Sequence, residues 1–111
     1  MKEFDFVNLP IVDIVNEIFV DASNRGASDI HYDPWDDFMK IRIRIDGELI
    51  DYAKVPNTYK NNLVTRIKIL SGMNITESRL PQDGAIKATI GGEAVDMRVS
   101  CLPTNKGEKV V

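Results

Sequence analysis

The run from Phe38 to Gly47 constrains this chain more than any other stretch. Ile41, Ile43 and Ile45 alternate with Lys40, Arg42 and Arg44. That period-two pattern places the isoleucines on one side of an extended strand and the cations on the other. Asp46-Gly47 follows at once, and this dipeptide readily adopts the positive φ angles of a tight hairpin turn. Glu48 to Ala53 reads as the return strand. A strand with one apolar face must be covered, so the rest of the chain is read for what covers it.

Two segments have the right periodicity. Between Leu9 and Arg25, Ile11, Ile14, Val15, Ile18, Phe19 and Ala22 recur every three or four residues, and the spacing predicts an amphipathic helix. Pro10 suits its first turn and Gly26 its end. A second helix is predicted over about Tyr59 to Ser71, after a loop around Pro56-Asn57-Thr58. Leu63, Val64, Ile67 and Leu70 form its stripe and Gly72 its stop.

The remaining strands are shorter signals. Ser28 to Asp33 alternates Ile30 and Tyr32 with Asp29, His31 and Asp33, and Pro34 ends it. Asn74 to Leu80 has no period, and Pro81-Gln82-Asp83-Gly84 reads as a turn by composition. Ala85 to Ile90 and Glu93 to Cys101 read as strands joined through Gly91-Gly92, with a turn at Pro103 to Gly107 and a further strand starting at Glu108. The expected fold class is α+β, a mainly antiparallel sheet of about six strands packed by two main helices. The close on Lys109-Val110-Val111 in mid-strand suggests a fragment of a longer protein.

Composition removes several classes of function. With 111 residues the chain has room for one domain and one core. A net charge of −3 disfavours non-specific binding to nucleic acid or anionic lipid. No apolar run is long enough to span a membrane, and the acidic MKEFDF opening is unlike a secretory leader. One cysteine, Cys101, and one histidine, His31, cannot build a zinc site or a catalytic dyad. Cys101 fits a reducing, cytoplasmic setting, and both residues fit structural roles. Asp33, Asp36 and Asp37 lack the spacing and glycine of a calcium loop. There is no phosphate-binding G-x-x-x-x-G-K-[ST] motif.

What is left is a set of arginines. Arg42 and Arg44 share a strand face, Arg98 lies on the strand Val95 to Cys101, Arg66 on the second helix, and Arg79 just before the Pro-Gln-Asp-Gly segment. Guanidinium groups recognise phosphate or carboxylate through several planar donors. The plain alternative pairs them with Asp29, Asp46, Asp51 or Asp96 across the sheet. Trp35 is open to either core packing or an exposed contact.

Four segments, in order, carry a resemblance. They are Ala27 to Pro34 (ASDIHYDP), Arg42 to Gly47 (RIRIDG), Arg79 to Gly84 (RLPQDG), and Asp96 to Ser100 (DMRVS) with Leu102-Pro103-Thr104 and Gly107 to Val111 (GEKVV). Together they resemble the secretion ATPase family that drives type II secretion and type IV pilus assembly, in the N-terminal domain preceding the ATPase core. The resemblance implies a PAS-like α+β fold. It implies a homohexameric parent that uses ATP and magnesium, with the phosphate loop and acidic boxes in a following domain and no cofactor in this fragment. The implied partners are the C-terminal ATPase domains of its own and neighbouring subunits and the inner-membrane platform protein, at the cytoplasmic face of the membrane. The fragment alone is expected to be a monomer that neither inserts in a membrane nor hydrolyses ATP.

By the same resemblance Arg98 is the arginine that reaches nucleotide phosphates on domain closure. Arg42, Arg44 and Arg79 are further candidates for phosphate or interdomain contacts, and a second phosphate-reaching arginine would fall beyond Val111. The family commonly has arginine directly after Pro-Gln-Asp-Gly, where this chain has Ala85, so that contact is lost. Two rival readings are a free-standing PAS-like sensor or adaptor, which a ligand cavity would favour, and a small RNA-binding domain. The acidic balance and the lack of paired aromatics on one strand oppose the latter.

Overall fold

The computed structural model describes residues 1–111. Helix α1 (Ile11–Asn24) is followed by strands β1 (Asp29–Pro34), β2 (Phe38–Ile45) and β3 (Glu48–Pro56), then helix α2 (Asn57–Ser71) and strands β4 (Gln82–Ile90), β5 (Glu93–Thr104) and β6 (Gly107–Val110). One six-stranded sheet runs in the order β3-β2-β1-β6-β5-β4. Every strand pair is antiparallel. Two three-stranded meanders are therefore joined at the centre by β1 and β6. This is the α+β arrangement that the alternating patterns predict.

The hairpin at Asp46-Gly47 forms as read, with φ of 52° at Asp46 and 83° at Gly47. Its strands do not pair evenly. Ile41 faces Ala53 while the next residue, Arg42, faces Asp51, so Tyr52 is an extra residue in a β-bulge. The bulge turns both Tyr52 and Ala53 into the core, and the Tyr52 hydroxyl donates to the Asp21 carboxylate on α1. The in-and-out alternation of side chains along β3 breaks at this point because of the insertion.

The helices cover one sheet face. Ile14, Val15, Ile18, Phe19 and Ala22 of α1 and Leu63, Val64 and Ile67 of α2 are buried. They share a core with Tyr32, Ile41, Ile43, Val55, Ile86, Val99 and Val110. Removing this apolar surface from water is the main stabilising term.

Several expected boundaries move, and β3 runs on from Ala53 to Pro56. Helix α1 begins at Ile11, with Pro10 as its N-terminal cap. Helix α2 starts directly after Pro56, without the expected loop, because Pro56 is extended (φ −57°, ψ 146°) and hands strand to helix in one residue. The Pro-Gln-Asp-Gly segment is not a turn: Gln82, Asp83 and Gly84 pair with Cys101, Ser100 and Val99. The Ser100 hydroxyl donates to Asp83 Oδ1 at 2.7 Å, so partners distant in sequence override the local turn preference. The expected turn at Pro103 to Gly107 shrinks to Asn105-Lys106 between the paired Thr104 and Gly107. Pro103 is tolerated because it lies beyond the end of β4, where no strand needs its missing N–H.

Candidate functional site

The sheet face opposite the helices carries three of the chain's six arginines, Arg42, Arg44 and Arg98. On β2 the outward positions are Lys40, Arg42 and Arg44, and on β1 they are Asp29, His31 and Asp33, as their pairing Asp29↔Arg44, His31↔Arg42 and Asp33↔Lys40 requires. Across the centre, Lys109 of β6 and Arg98 and Ser100 of β5 continue the same face, since Val110, Val99 and Cys101 point to the core. Three of the four predicted site residues, Arg42, Arg44 and Arg98, thus share one surface. Arg79 does not: it is exposed in the connection between α2 and β4.

The three on the sheet differ in what holds them. Arg42 Nη2 donates to Asp33 Oδ2 at 2.7 Å, and Lys109 Nζ lies 3.1 Å from Asp33 Oδ1. Burial alone would lift the Asp33 carboxyl, but Arg42 and Lys109 together hold it below its ordinary value. Arg44 Nε lies 3.3 Å from Asp29 Oδ2, and Arg44 Nη1 donates to the Gly47 carbonyl at 3.0 Å. The Ser28 hydroxyl, donating to Asp29 at 2.6 Å, does most to hold the Asp29 carboxyl low; burial opposes it, and His31 and Arg44 add to it. Arg42 and Arg44 are therefore engaged within the sheet, as in the plain alternative reading: Arg44 meets Asp29, one of the expected partners, and Arg42 meets Asp33, which is not among them. Arg98 is in none of the ion pairs. It is exposed and faces Ala85 on β4, so no side-chain anion competes for it.

Beside Arg98 lies a cavity of about 520 Å³. Its apolar floor includes Phe19, Ala22, Ile67 and Ile86, and Asp29 and Arg98 stand on its two rims. It opens between β1 and β5 where β6 stops separating them. Period and spacing carry no signal for this groove, because it depends on the register of three strands far apart in sequence.

His31 and Cys101 are engaged within the fold, whereas Trp35 lies outside the core as an exposed contact. His31 Nε2 is 2.5 Å from Asp29 Oδ2. Cys101 is buried and its thiol donates to Glu108 Oε2 at 3.0 Å. Trp35 is 48% exposed and stacks on Phe38 at 5.7 Å, with Lys40 Nζ 5.1 Å from its ring centroid. No group of three or more histidines, cysteines or carboxylates is gathered to hold a metal ion. No helix is long and apolar enough to cross a membrane.

Sequence reasoning missed one buried charge. Lys68, on the apolar side of α2, is 2% exposed. Its Nζ donates to Glu108 Oε1 and to the Glu77 carbonyl, each at 2.7 Å. Lysine is almost never this buried without a partner, and the partner comes from the far end of the chain.

Comparison with known proteins places the chain in a family. The family described as "Type II/IV secretion system protein" matches residues 7–111. The type IV pilus assembly ATPase PilB of Myxococcus xanthus is 45% identical over 103 residues, 92% of this chain and 18% of that protein. The type II secretion system ATPase E of Vibrio cholerae is 41% identical over 102 residues, 92% of this chain and 20% of that protein. PilB of Pseudomonas aeruginosa is 40% identical over 103 residues, covering 92% and 18%. The chain thus spans about a fifth of the length of these relatives. A match over almost all of its residues, on the strands and helices just described, means that this chain belongs to the type II/IV secretion system protein family, that of the type II secretion and type IV pilus assembly ATPases.

Proposed function

We propose that this chain is the N-terminal domain of a hexameric type IV pilus assembly or type II secretion ATPase. It moves against the ATPase domain and carries Arg98 to the nucleotide phosphates. The observation that carries the reading is the contrast among the sheet arginines. Arg42 and Arg44 are held by Asp33 and Asp29, whereas Arg98 is exposed and unpaired on the same face. A guanidinium with no anion of its own needs no internal ion pair broken before it meets a phosphate.

ATP and magnesium belong to the parent protein. This chain has no phosphate loop, and its best-placed carboxylates, Asp29 and Asp33, already face cations. The part its residues can fill is that of a cation delivered by closure, which stabilises charge on the transferred phosphoryl group. Because the closed arrangement would hold nucleotide better than the open one, the same contact links nucleotide state to domain rotation. In this reading the partners are the ATPase domains of its own and adjoining subunits and a membrane-embedded platform protein, at the cytoplasmic face of the membrane.

The test is Arg98→Ala in the full-length parent, with ATPase activity and ring assembly measured together. Arginines delivered in this way are worth about 10³–10⁵ in rate in well-studied phosphoryl-transfer enzymes. A fall of at least about tenfold with the ring intact is expected; near-normal turnover would refute the role.

A further inference from the structure

At the β2–β3 edge of the open sheet face, with β1 and β6 between it and the strand of Arg98, stands an aromatic pair that the fold leaves uncovered. Trp35 lies in the turn between β1 and β2 and closes it, its N–H donating to the Phe38 carbonyl at 2.8 Å. Its ring is nearly parallel to that of Phe38, at 10°. The stack pins Trp35 in place, yet 48% of its surface stays in water. Exposed Pro56, opposite Phe38 on β3, extends the apolar surface. A large ring that is already immobilised and still half in water loses little freedom when a partner covers it, which is why such rings anchor interfaces.

Two lysines flank the pair. Lys40 Nζ is 5.1 Å from the Trp35 ring centroid and Lys54 Nζ 4.8 Å from that of Phe38. Lys40 and Lys54 are direct cross-strand partners, and like charges in that position destabilise a strand pair. Lys40 is partly relieved by Asp51 Oδ2 at 3.6 Å. Lys54 is exposed and takes part in none of the chain's ion pairs. Unbalanced positive charge therefore sits where the rings are open. The surroundings limit what can use it. Asp36 is neutralised by Lys106, but Asp37 and Asp51 are exposed beside the lysines. A membrane surface or a nucleic-acid backbone laid over this corner meets those carboxylates as well as the lysines, and the net charge of −3 opposes it further. A short anionic stretch set on Lys40 and Lys54 avoids them.

We infer that Trp35, Phe38, Lys40 and Lys54 form a docking site for a short acidic segment of a partner protein. Its carboxylates meet the two lysines, and a proline or aromatic ring next to them packs on Trp35. Binding removes the Lys40–Lys54 repulsion and takes the open ring out of water, so both terms favour the complex. The site uses neither Arg98 nor nucleotide, and it stands or falls separately from the phosphate contact proposed for Arg98.

Trp35 is the chain's only tryptophan, so its fluorescence reports on the site directly. The probes are an array of synthetic peptides, each with a proline or phenylalanine flanked by aspartates and glutamates, titrated into this chain. Emission should move to shorter wavelength and saturate as the ring leaves water. The affinity should fall several-fold between about 0.05 and about 0.5 M salt. Lys54→Glu, at an exposed side chain, should keep the wild-type unfolding midpoint and weaken binding at least about tenfold. Trp35→Ala, followed by calorimetry, should weaken it by a similar factor. The assignment is overturned if no peptide shifts the emission, if peptides with lysines in place of the acids bind as well, or if Lys54→Glu binds like the wild type. A saturable response to phosphatidylglycerol vesicles or to single-stranded RNA, with none to any peptide, would also overturn it and make the site one for an extended polyanion. So would an emission shift that grows with the chain's own concentration and leaves no room for peptide, since a second copy would then be the occupant.

Discussion

Lys68 and Glu108 form an ion pair at 2.7 Å, with side chains 2% and 15% exposed, and it bolts helix α2 to the last strand of the sheet. The same lysine holds the Glu77 carbonyl and the same glutamate receives the Cys101 thiol, so one buried charge connects α2, β5, β6 and the α2–β4 connection. Removing one member leaves the other charged and out of water. We expect Lys68→Ala to cost about 3–5 kcal/mol. The double change Lys68→Met with Glu108→Leu should cost clearly less than the single one, as measured by urea unfolding.

Gly84 approaches α2 too closely for any side chain. A Cβ there would meet the Ser71 carbonyl oxygen at 2.4 Å, so this glycine of the Pro-Gln-Asp-Gly segment serves helix–strand packing. Gly84→Ala should destabilise by about 1–3 kcal/mol through forced separation of β4 from α2. Gly92→Ala, in the exposed hairpin, meets no neighbouring atom; its φ of 82° limits its cost to about 1 kcal/mol.

Cys101 should be inert while the chain is folded. Burial, followed by the Glu108 carboxylate and against the pull of Lys68, pushes its thiol up to about 12. At pH 8 its reaction with a thiol reagent should be ~10³-fold slower than in the denatured chain and should follow global unfolding. Reaction at the free-thiol rate without unfolding would contradict the burial described.

The acid limb of stability should map to the open sheet face. Asp29 and Asp33 titrate below the ordinary 3.8 in the folded chain. A depressed folded value means that their contribution is complete above the unfolded value and is lost as pH falls through the folded one. The unfolding midpoint should therefore hold steady near neutrality and drop below about pH 4. Asp33→Asn should lower the plateau and flatten that drop.

Arg42→Ala and Arg98→Ala should separate in an unfolding experiment on this chain. Arg42 leaves behind the partly buried Asp33, and about 1 kcal/mol is expected. Arg98 leaves nothing unpaired, and its loss should fall within about 0.5 kcal/mol. A large loss at Arg98 would mean that it supports the fold rather than a contact beyond it.

What the chain's own sequence determined is whatever local periodicity encodes. The alternation of Ile41, Ile43 and Ile45, the two helix stripes and the Asp46-Gly47 turn specify two helices and the strands around them, because helices and strands present one face at fixed spacing. The ordered motifs were enough to mark the family. Tertiary structure decided what depends on partners distant in sequence. Pairing with Ser100 made the Pro-Gln-Asp-Gly segment a strand, the Tyr52 bulge reset which β3 residues face inward, and Glu108 made a buried position safe for Lys68. The pairing of Arg42 and Arg44, and the freedom of Arg98, rest on which carboxylate each meets across the sheet. Composition counts charges but not distances, and only the register of β1, β5 and β6 turns three arginines on one face into two that are held and one that is available.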